Sequence, residues 1–369
     1  MLRQFLPTSE LDVHWAAGRT LSLEQAMDYA LETYPYLHSP LPYAILSSMW
    51  SALNRTDIDP DDPSYSDVRR RVLGRLGEYA SLAIGPLNLR PTAAALLRED
   101  NQRVELRVST PSSHVVLVIA ADGDLVPEVF WLRALAASNL PIPRLIAHDL
   151  SLTTLPFAYA LESYVGGSPL DALEDGPRMR VLARQAGRTL RRSHQVAAPG
   201  YGRPALGGRW PAESWPAVLG GWLARRETLA RAEEALGLEC AVALIDATID
   251  HPALECVRPC VIHGAVEPAR AIVTVGETMQ LEALTRPGEL VGGDPLFDLA
   301  HGLLPRYPAT FRQGLLEGYC ASGPLNAEQQ GRLRRLSLLL LAADTLENGD
   351  AAALARLPDD IATELRALA

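Results

Sequence analysis

No lysine occurs anywhere in the chain, and all 34 of its basic residues are arginine. A Schiff base, a general-base amine and a lysine contact to phosphate are therefore excluded. Arginine-biased coding explains this more simply than selection against lysine modification, the sharper alternative. Cysteine is scarce too: Cys240, Cys256, Cys260 and Cys320 are the only four. His251 and His263 lie near two of them, but the spacing matches no paired zinc knuckle, so reduced, mostly buried thiols are expected and no metal site. There is no basic stretch leading into an apolar core at the start, and the run Leu336 to Ala343 is far too short to cross a bilayer. A soluble, cytoplasmic protein is the resulting expectation. The net charge of -10 argues against nucleic acid or an anionic membrane as partner. That leaves small molecules and other proteins.

With 48% hydrophobic and 21% charged residues over 369 positions, the chain can bury cores in two or three lobes. To about Arg90 it reads as helical. A capping box, Ser22-Leu23-Glu24-Gln25, precedes the apolar-periodic stretch Ala26 to Tyr34, and further helices are predicted over Tyr43 to Leu53 and Tyr65 to Leu82. The acidic stretch Thr56 to Pro63 lacks the glycine turn and closing glutamate of a calcium loop and reads as a connection. From Arg103 the period becomes two: Val104, Leu106 and Val108 alternate with polar residues, Pro111-Ser112-Ser113 turns the chain, and His114 to Ala120 returns it. A helix over Pro127 to Ala137 and a strand over Phe157 to Tyr164, ending in Val165-Gly166-Gly167, complete a small sheet lobe. The rest is mainly helical, with Arg178 to Gln195, Trp215 to Leu236, a segment before Asp250, and Ala327 to Leu346. The predicted class is α+β, divided into a helical N-terminal segment (1–95), a sheet lobe (96–167) and a helical lobe (168–369).

Several short motifs fall in a telling order. They are Leu161-Glu162-Ser163-Tyr164-Val165-Gly166-Gly167-Ser168-Pro169-Leu170, Leu190-Arg191-Arg192-Ser193-His194, Gly200-Tyr201-Gly202, Glu213-Ser214-Trp215, Val261-Ile262-His263-Gly264, and Gly293-Asp294-Pro295-Leu296-Phe297-Asp298-Leu299-Ala300. Each is weak alone; their order and spacing are not. From about residue 103 to 350 the chain resembles the phosphotransferase family of aminoglycoside, fructosamine and choline kinases, relatives of protein kinases. The resemblance implies a bilobal protein-kinase-like fold, with a small β-sheet N-lobe, a large helical C-lobe, and here an additional helical segment in front.

It also implies where phosphoryl-transfer groups belong. The phosphate cradle is normally a glycine-rich hairpin, yet no glycine occurs between Gly85 and Gly123, so the hairpin at Pro111 lacks the usual form. The resemblance puts Val118 where the phosphate lysine belongs. Its partner glutamate would be Glu128, expected to be only a solvated carboxylate at a helix start. The family's catalytic loop reads His-Gly-Asp, then four residues, then Asn; this chain reads His263-Gly264-Ala265-Val266-Glu267-Pro268-Ala269-Arg270. Ala265 thus replaces the base, and Arg270 puts a permanent cation where a metal ligand should be. Glu282, in Met279 to Leu284, is the carboxylate available for the remaining metal ligand, although its interval to Asp294 is longer than usual. His263, Gly264, Glu267, Asp294 and Asp298 are the motif remnant, and His263 is expected to make structural hydrogen bonds beneath the loop.

Two functions follow. The first is a catalytically inactive pseudokinase, binding a protein partner or a small molecule in the interlobe cleft, with no cofactor expected. The alternative is an atypical phosphotransferase acting on a small-molecule hydroxyl, using ATP and magnesium, with Glu267, Glu282 and His263 as candidate groups. Asp298 is expected to brace the catalytic-loop remnant in either case.

Overall fold

Alternating apolar side chains from residue 104 onward give strands with two distinct faces, and those faces set the layers of the N-terminal lobe. The computed structural model describes residues 48–368, except 56, 60–61, 63–64, 88, 101–102, 122–123, 154 and 226–227. The capping box at Ser22, the stretch Ala26 to Tyr34 and the first part of the Tyr43 to Leu53 helix lie outside the described residues.

Three helices, α1 (Ser48–Ser51), α2 (Asp67–Gly74) and α3 (Leu76–Ile84), precede a five-stranded antiparallel sheet. Its strands are β1 (Ala93–Glu99), β2 (Val104–Ser109), β3 (His114–Ala120), β4 (Leu145–Asp149) and β5 (Ala158–Ser163), in the order β1-β2-β3-β5-β4, with helix α4 (Val126–Leu135) between β3 and β4. Register aligns Leu106 with Leu117 and Leu161 on one face, and Glu105 with Val118 and Ala160 on the other. The first face is covered by Trp50, Val72, Leu73, Leu76, Ala80 and Ile84 of α1 to α3 in a single core. At about 1.5–3 kcal/mol for each large side chain removed from water, these helices are part of the lobe rather than a separable appendage. The second face packs on Leu125 and Val129 at α4.

The chain leaves β5 through Gly166 and Gly167. At Gly167 φ is +131° and an added Cβ would lie 2.6 Å from Val273 O, so a side chain there would disturb the approach of the chain to Val273. Short strand β6 (Ser168–Pro169) opens the second lobe, followed by α5 (Pro177–Ser193), α6 (Trp215–Arg225), α7 (Thr228–Leu236) and α8 (Leu238–Ala247). Then come β7 (Cys260–Val261), β8 (Ala271–Val275), β9 (Met279–Leu284), β10 (Gly292–Gly293), α9 (Pro295–Gly302), α10 (Ala309–Tyr319), α11 (Ala327–Asn348) and α12 (Ala351–Leu368). Strand β8 pairs with both β6 and β9, and β7 pairs with β10. Helices α5 and α10 pack backbone to backbone, because Gly187, Gly314 and Gly318 each face a main-chain carbonyl that a Cβ would overlap. The core of this lobe joins Leu182, Leu190, Trp215, Phe297, Phe311 and Leu315.

The α+β, protein-kinase-like architecture agrees with the expectation from sequence. Several elements differ in detail. Ala93–Glu99 is an edge strand, although its alanine and leucine content favours a helix; pairing with β2 overrides that propensity. The single helix expected from Trp215 to Leu236 is two, α6 and α7. Strand β4 and helices α10 and α12 were not foreseen. Among the described residues no helix is long and apolar enough to cross a membrane.

Candidate active site and interlobe cavity

The β7–β10 pair delivers two segments side by side: the His263–Arg270 loop after β7, and Asp294 with helix α9 after β10. Asp294 caps α9 by accepting from Leu296 N at 2.9 Å, with Pro295 at the first helical position. Asp298, on the first turn, is wholly buried. Its carboxylate accepts from His263 N at 2.6 Å, Gly264 N at 2.7 Å and His194 Nε2 at 2.9 Å. Tyr319 OH lies 3.0 Å from the other ring nitrogen of His194, Nδ1, within hydrogen-bond distance. Burial pushes the Asp298 carboxyl up, but the bonds from His194 and His263 outweigh it and hold the group below its ordinary value. The expected brace under the loop is therefore present, with three donors on one carboxylate. Gly264 has φ +73° and its Cα faces Leu290 O too closely for a Cβ, which explains the glycine at this turn.

His263 sits beneath the loop. Its Nε2 donates to Thr285 O at 3.0 Å, and its ring stands edge-to-face against Trp131 at 5.4 Å between centroids. Burial pushes its pKa down to about 4, so it is neutral at physiological pH and structural in its bonding. Ala265 offers only a methyl group. Glu267, two residues on, is paired with Arg270 Nε at 2.5 Å; burial raises its carboxyl, but the Arg270 guanidinium prevails and holds it below the ordinary value. Arg270 Nη1 also donates to Arg286 O at 2.5 Å, while Arg286 Nη2 donates back to Ala269 O.

Arg286 escaped the sequence reading. Ala265, Glu267, Arg270 and Arg286 line one cavity, whereas Glu282, the expected relic ligand, is the unpaired residue of a β-bulge: Ile272 pairs with Ala283 and Val273 with Leu281. The long interval from Glu282 to Asp294 was the signal that the position had been read too early.

The opposite wall comes from the N-lobe. The hairpin tip that reaches the cavity joins β1 to β2, with Arg98, Asp100 and Arg103, and is not the turn at Pro111. Val118 is buried beneath α4 with Leu125, Val129 and Ala160. Glu128 is not a solvated carboxylate: it is 4% exposed and accepts from Arg103 Nη1 at 2.7 Å. Helix α4 turns this carboxylate inward, toward Arg103 of the adjoining hairpin. Glu105 Oε1 lies 3.8 Å from the same guanidinium. Glu162 joins this charged group from β5. Burial pushes Glu105 up to about 7 against the pull of Arg103, and burial, with the neighbouring charges of Glu128 and Glu105, pushes Glu162 well above the carboxylate range. Three buried glutamates thus share one arginine, and Glu105 Oε1 and Glu162 Oε1 have no hydrogen-bond partner among the described residues.

Between the walls lies a cavity of about 750 Å³, large enough for a small-molecule ligand. Arginines and carboxylates line it in equal number, so local pairing decides its sign at each point. Arg203 is paired with Asp124 and, like Arg225, with Glu289; Arg306 is paired with Asp344. The residues present do not fit magnesium. Arg270 and Arg286 put two guanidiniums on the catalytic-loop wall, and the adjacent Glu267 is engaged by Arg270. Cys256 and Cys260 are buried free thiols, and among the described residues no cluster of three or more His, Cys, Asp or Glu is arranged to hold a metal ion.

The model of the phosphotransferase enzyme family (APH) matches residues 94–336. Among solved structures, the chain is similar to a thermostable mutant of aminoglycoside phosphotransferase APH(4)-Ia in complex with AMP-PNP and hygromycin B. The TM-score is 0.57 at 14% identity, over 78% of this chain and 97% of that one. It is also similar to the macrolide 2′-phosphotransferase MphH of Brachybacterium faecium, with TM-score 0.50 at 18% identity, over 78% and 97%. At these identities the likeness shows the fold alone. No curated protein matches the chain.

Proposed function

The chain belongs to the phosphotransferase enzyme family, and from that membership together with its altered loop we propose a pseudokinase, a family member whose interlobe cavity binds a ligand without transferring phosphate from magnesium ATP. One observation carries this reading: the catalytic-loop wall holds Ala265, the Glu267–Arg270 ion pair and Arg286, which together offer cations and a methyl group where phosphoryl transfer needs a base and metal ligands. Each alteration alone would weaken catalysis; together they remove proton acceptance and metal binding at once. The N-lobe supports the same reading, since Val118 is packed into the core and Arg103 is committed to Glu128. A binding, scaffold or regulatory role is what such a cavity can still perform.

The second reading, an atypical phosphotransferase acting on a small-molecule hydroxyl, is favoured by the phosphotransferases among the similar structures and by Glu267, a carboxylate on the cavity wall. Its pairing with Arg270 makes it a poor proton acceptor, which weighs against it. Incubation of the purified full chain with magnesium ATP and a panel of polyhydroxylated small molecules, followed by mass spectrometry, decides between them. No phosphorylated product is expected. A product formed with turnover, and abolished by Glu267→Gln, would establish the second reading.

A further inference from the structure

Arg286 differs from the other arginines of the cavity in one respect: Arg98, Arg103, Arg203, Arg225, Arg270 and Arg306 each have a carboxylate partner, and Arg286, among the described residues, has none. Its guanidinium is held by Ala269 O through a single N–H, leaving further donors of a planar fork without a counter-charge. The residue is half-buried, so the charge is not fully solvated. Its backbone stands at φ +55°, the left-handed region, immediately before Pro287, a combination that costs energy for any residue other than glycine. Strain of this kind persists where surrounding contacts enforce it, and here they do: Arg270 holds the Arg286 carbonyl, and Gly288 N donates to His263 O at 2.7 Å.

Resting on the pseudokinase reading, we propose that Arg286, with Arg270 beside it, forms a metal-independent anion site, taking the phosphate or carboxylate group of a small molecule in the interlobe cavity. A guanidinium fork accepts either anion through paired N–H···O bonds. It also makes a divalent cation superfluous, because the fixed positive charge that a metal would bring is already covalently part of the wall. Six carboxylates of the cavity, Asp100, Asp124, Glu128, Glu267, Glu289 and Asp344, are paired with other arginines, so the anion meets an unshared positive charge at this point.

The test uses isothermal titration calorimetry on the full chain in EDTA, with inorganic pyrophosphate and citrate as separate probes and sodium chloride at matched ionic strength as the control. Saturable binding of one probe is expected, and which one binds distinguishes a phosphate from a carboxylate ligand. Arg286→Gln should weaken it by about tenfold to a hundredfold, the loss of one charge-assisted contact. Arg286→Lys, which keeps the charge but not the fork, should retain more of the affinity than Arg286→Gln does. Thermal melting without ligand verifies that the variants are folded, and should Arg286→Gln fail to fold, the comparison of wild type with Arg286→Lys carries the test through loss of the fork alone. The proposal is overturned if neither probe binds, if binding requires magnesium, or if folded variants bind as wild type does. Phosphoryl transfer from magnesium ATP would instead overturn the pseudokinase reading, and metal-free anion binding would survive it.

Discussion

Arg270 and Arg286 clasp each other's backbone: Arg270 Nη1 donates to the carbonyl of Arg286, and Arg286 Nη2 donates to the carbonyl of Ala269, next to Arg270. Two like charges are thereby fixed on one wall. The arrangement is tolerated because Glu267 neutralises the first guanidinium and because carbonyl dipoles solvate both. On the pseudokinase reading it is this pair, more than the missing base, that sets the cavity apart from a magnesium site.

Restoring the base alone should therefore not restore chemistry. Ala265→Asp is expected to show no magnesium-dependent ATP turnover in a coupled ADP-release assay, since both guanidiniums remain. Measurable turnover in this single variant would mean that the arginines do not exclude the metal.

Asp298→Ala should be strongly destabilising. It leaves His263 N, Gly264 N and His194 without their acceptor in a buried site, at about 1–3 kcal/mol for each unmet donor. Glu267→Ala and Glu282→Ala should each cost clearly less, the first because its pair with Arg270 is partly exposed, so water can screen the guanidinium left behind, and the second because it removes only a bulge side chain. Denaturant midpoints at unchanged slope measure all three, and equal small effects would contradict the bracing role.

The buried glutamates set a pH dependence. Glu105 is raised to about 7 in the folded chain from an unfolded value near 4.5, so the native state binds more protons between those values. Its stabilising contribution is complete below the unfolded value and is lost as pH rises through 7; Glu162 acts in the same direction. His263, lowered to about 4, works oppositely, since its unfolded form takes up protons below about 6.5. Comparison with a variant isolates the acids: Glu105→Gln should be more stable than wild type at pH 8, by up to ~3 kcal/mol, and close to wild type at pH 4.5. A difference independent of pH would remove Glu105 as the titrating group.

Gly264→Ala should cost at least ~2 kcal/mol, because φ +73° is unfavourable with a Cβ and because that Cβ would overlap Leu290 O. Gly276→Ala meets open space and serves as the control. Parity between the two in thermal melting would mean that the loop rearranges freely.

The parts of this molecule that were legible in the sequence are those in which local pattern and tertiary role coincide. The β2–β3 hairpin declared itself by alternation, and Asp298 by the surviving Gly293 to Asp298 motif. Glu128 was misread because a carboxylate on the first turn of a helix ordinarily faces water, and only the arrival of Arg103 from the adjoining hairpin turns it inward. Arg286 was missed because a residue-type search for a metal ligand stops at the nearest carboxylate, Glu282, and cannot see that a bulge and a left-handed turn carry the cavity wall four positions further along. Pairings of this kind are fixed by the packing of distant segments.

The central claim is tested most directly by titrating the purified full chain with ATP in the presence of magnesium and again in EDTA, following heat and melting temperature together. The account predicts that magnesium gives no gain in affinity and no hydrolysis, so that any nucleotide binding is the same in both buffers. Saturable binding that appears only with magnesium, with a thermal shift that grows with nucleotide concentration, would contradict it.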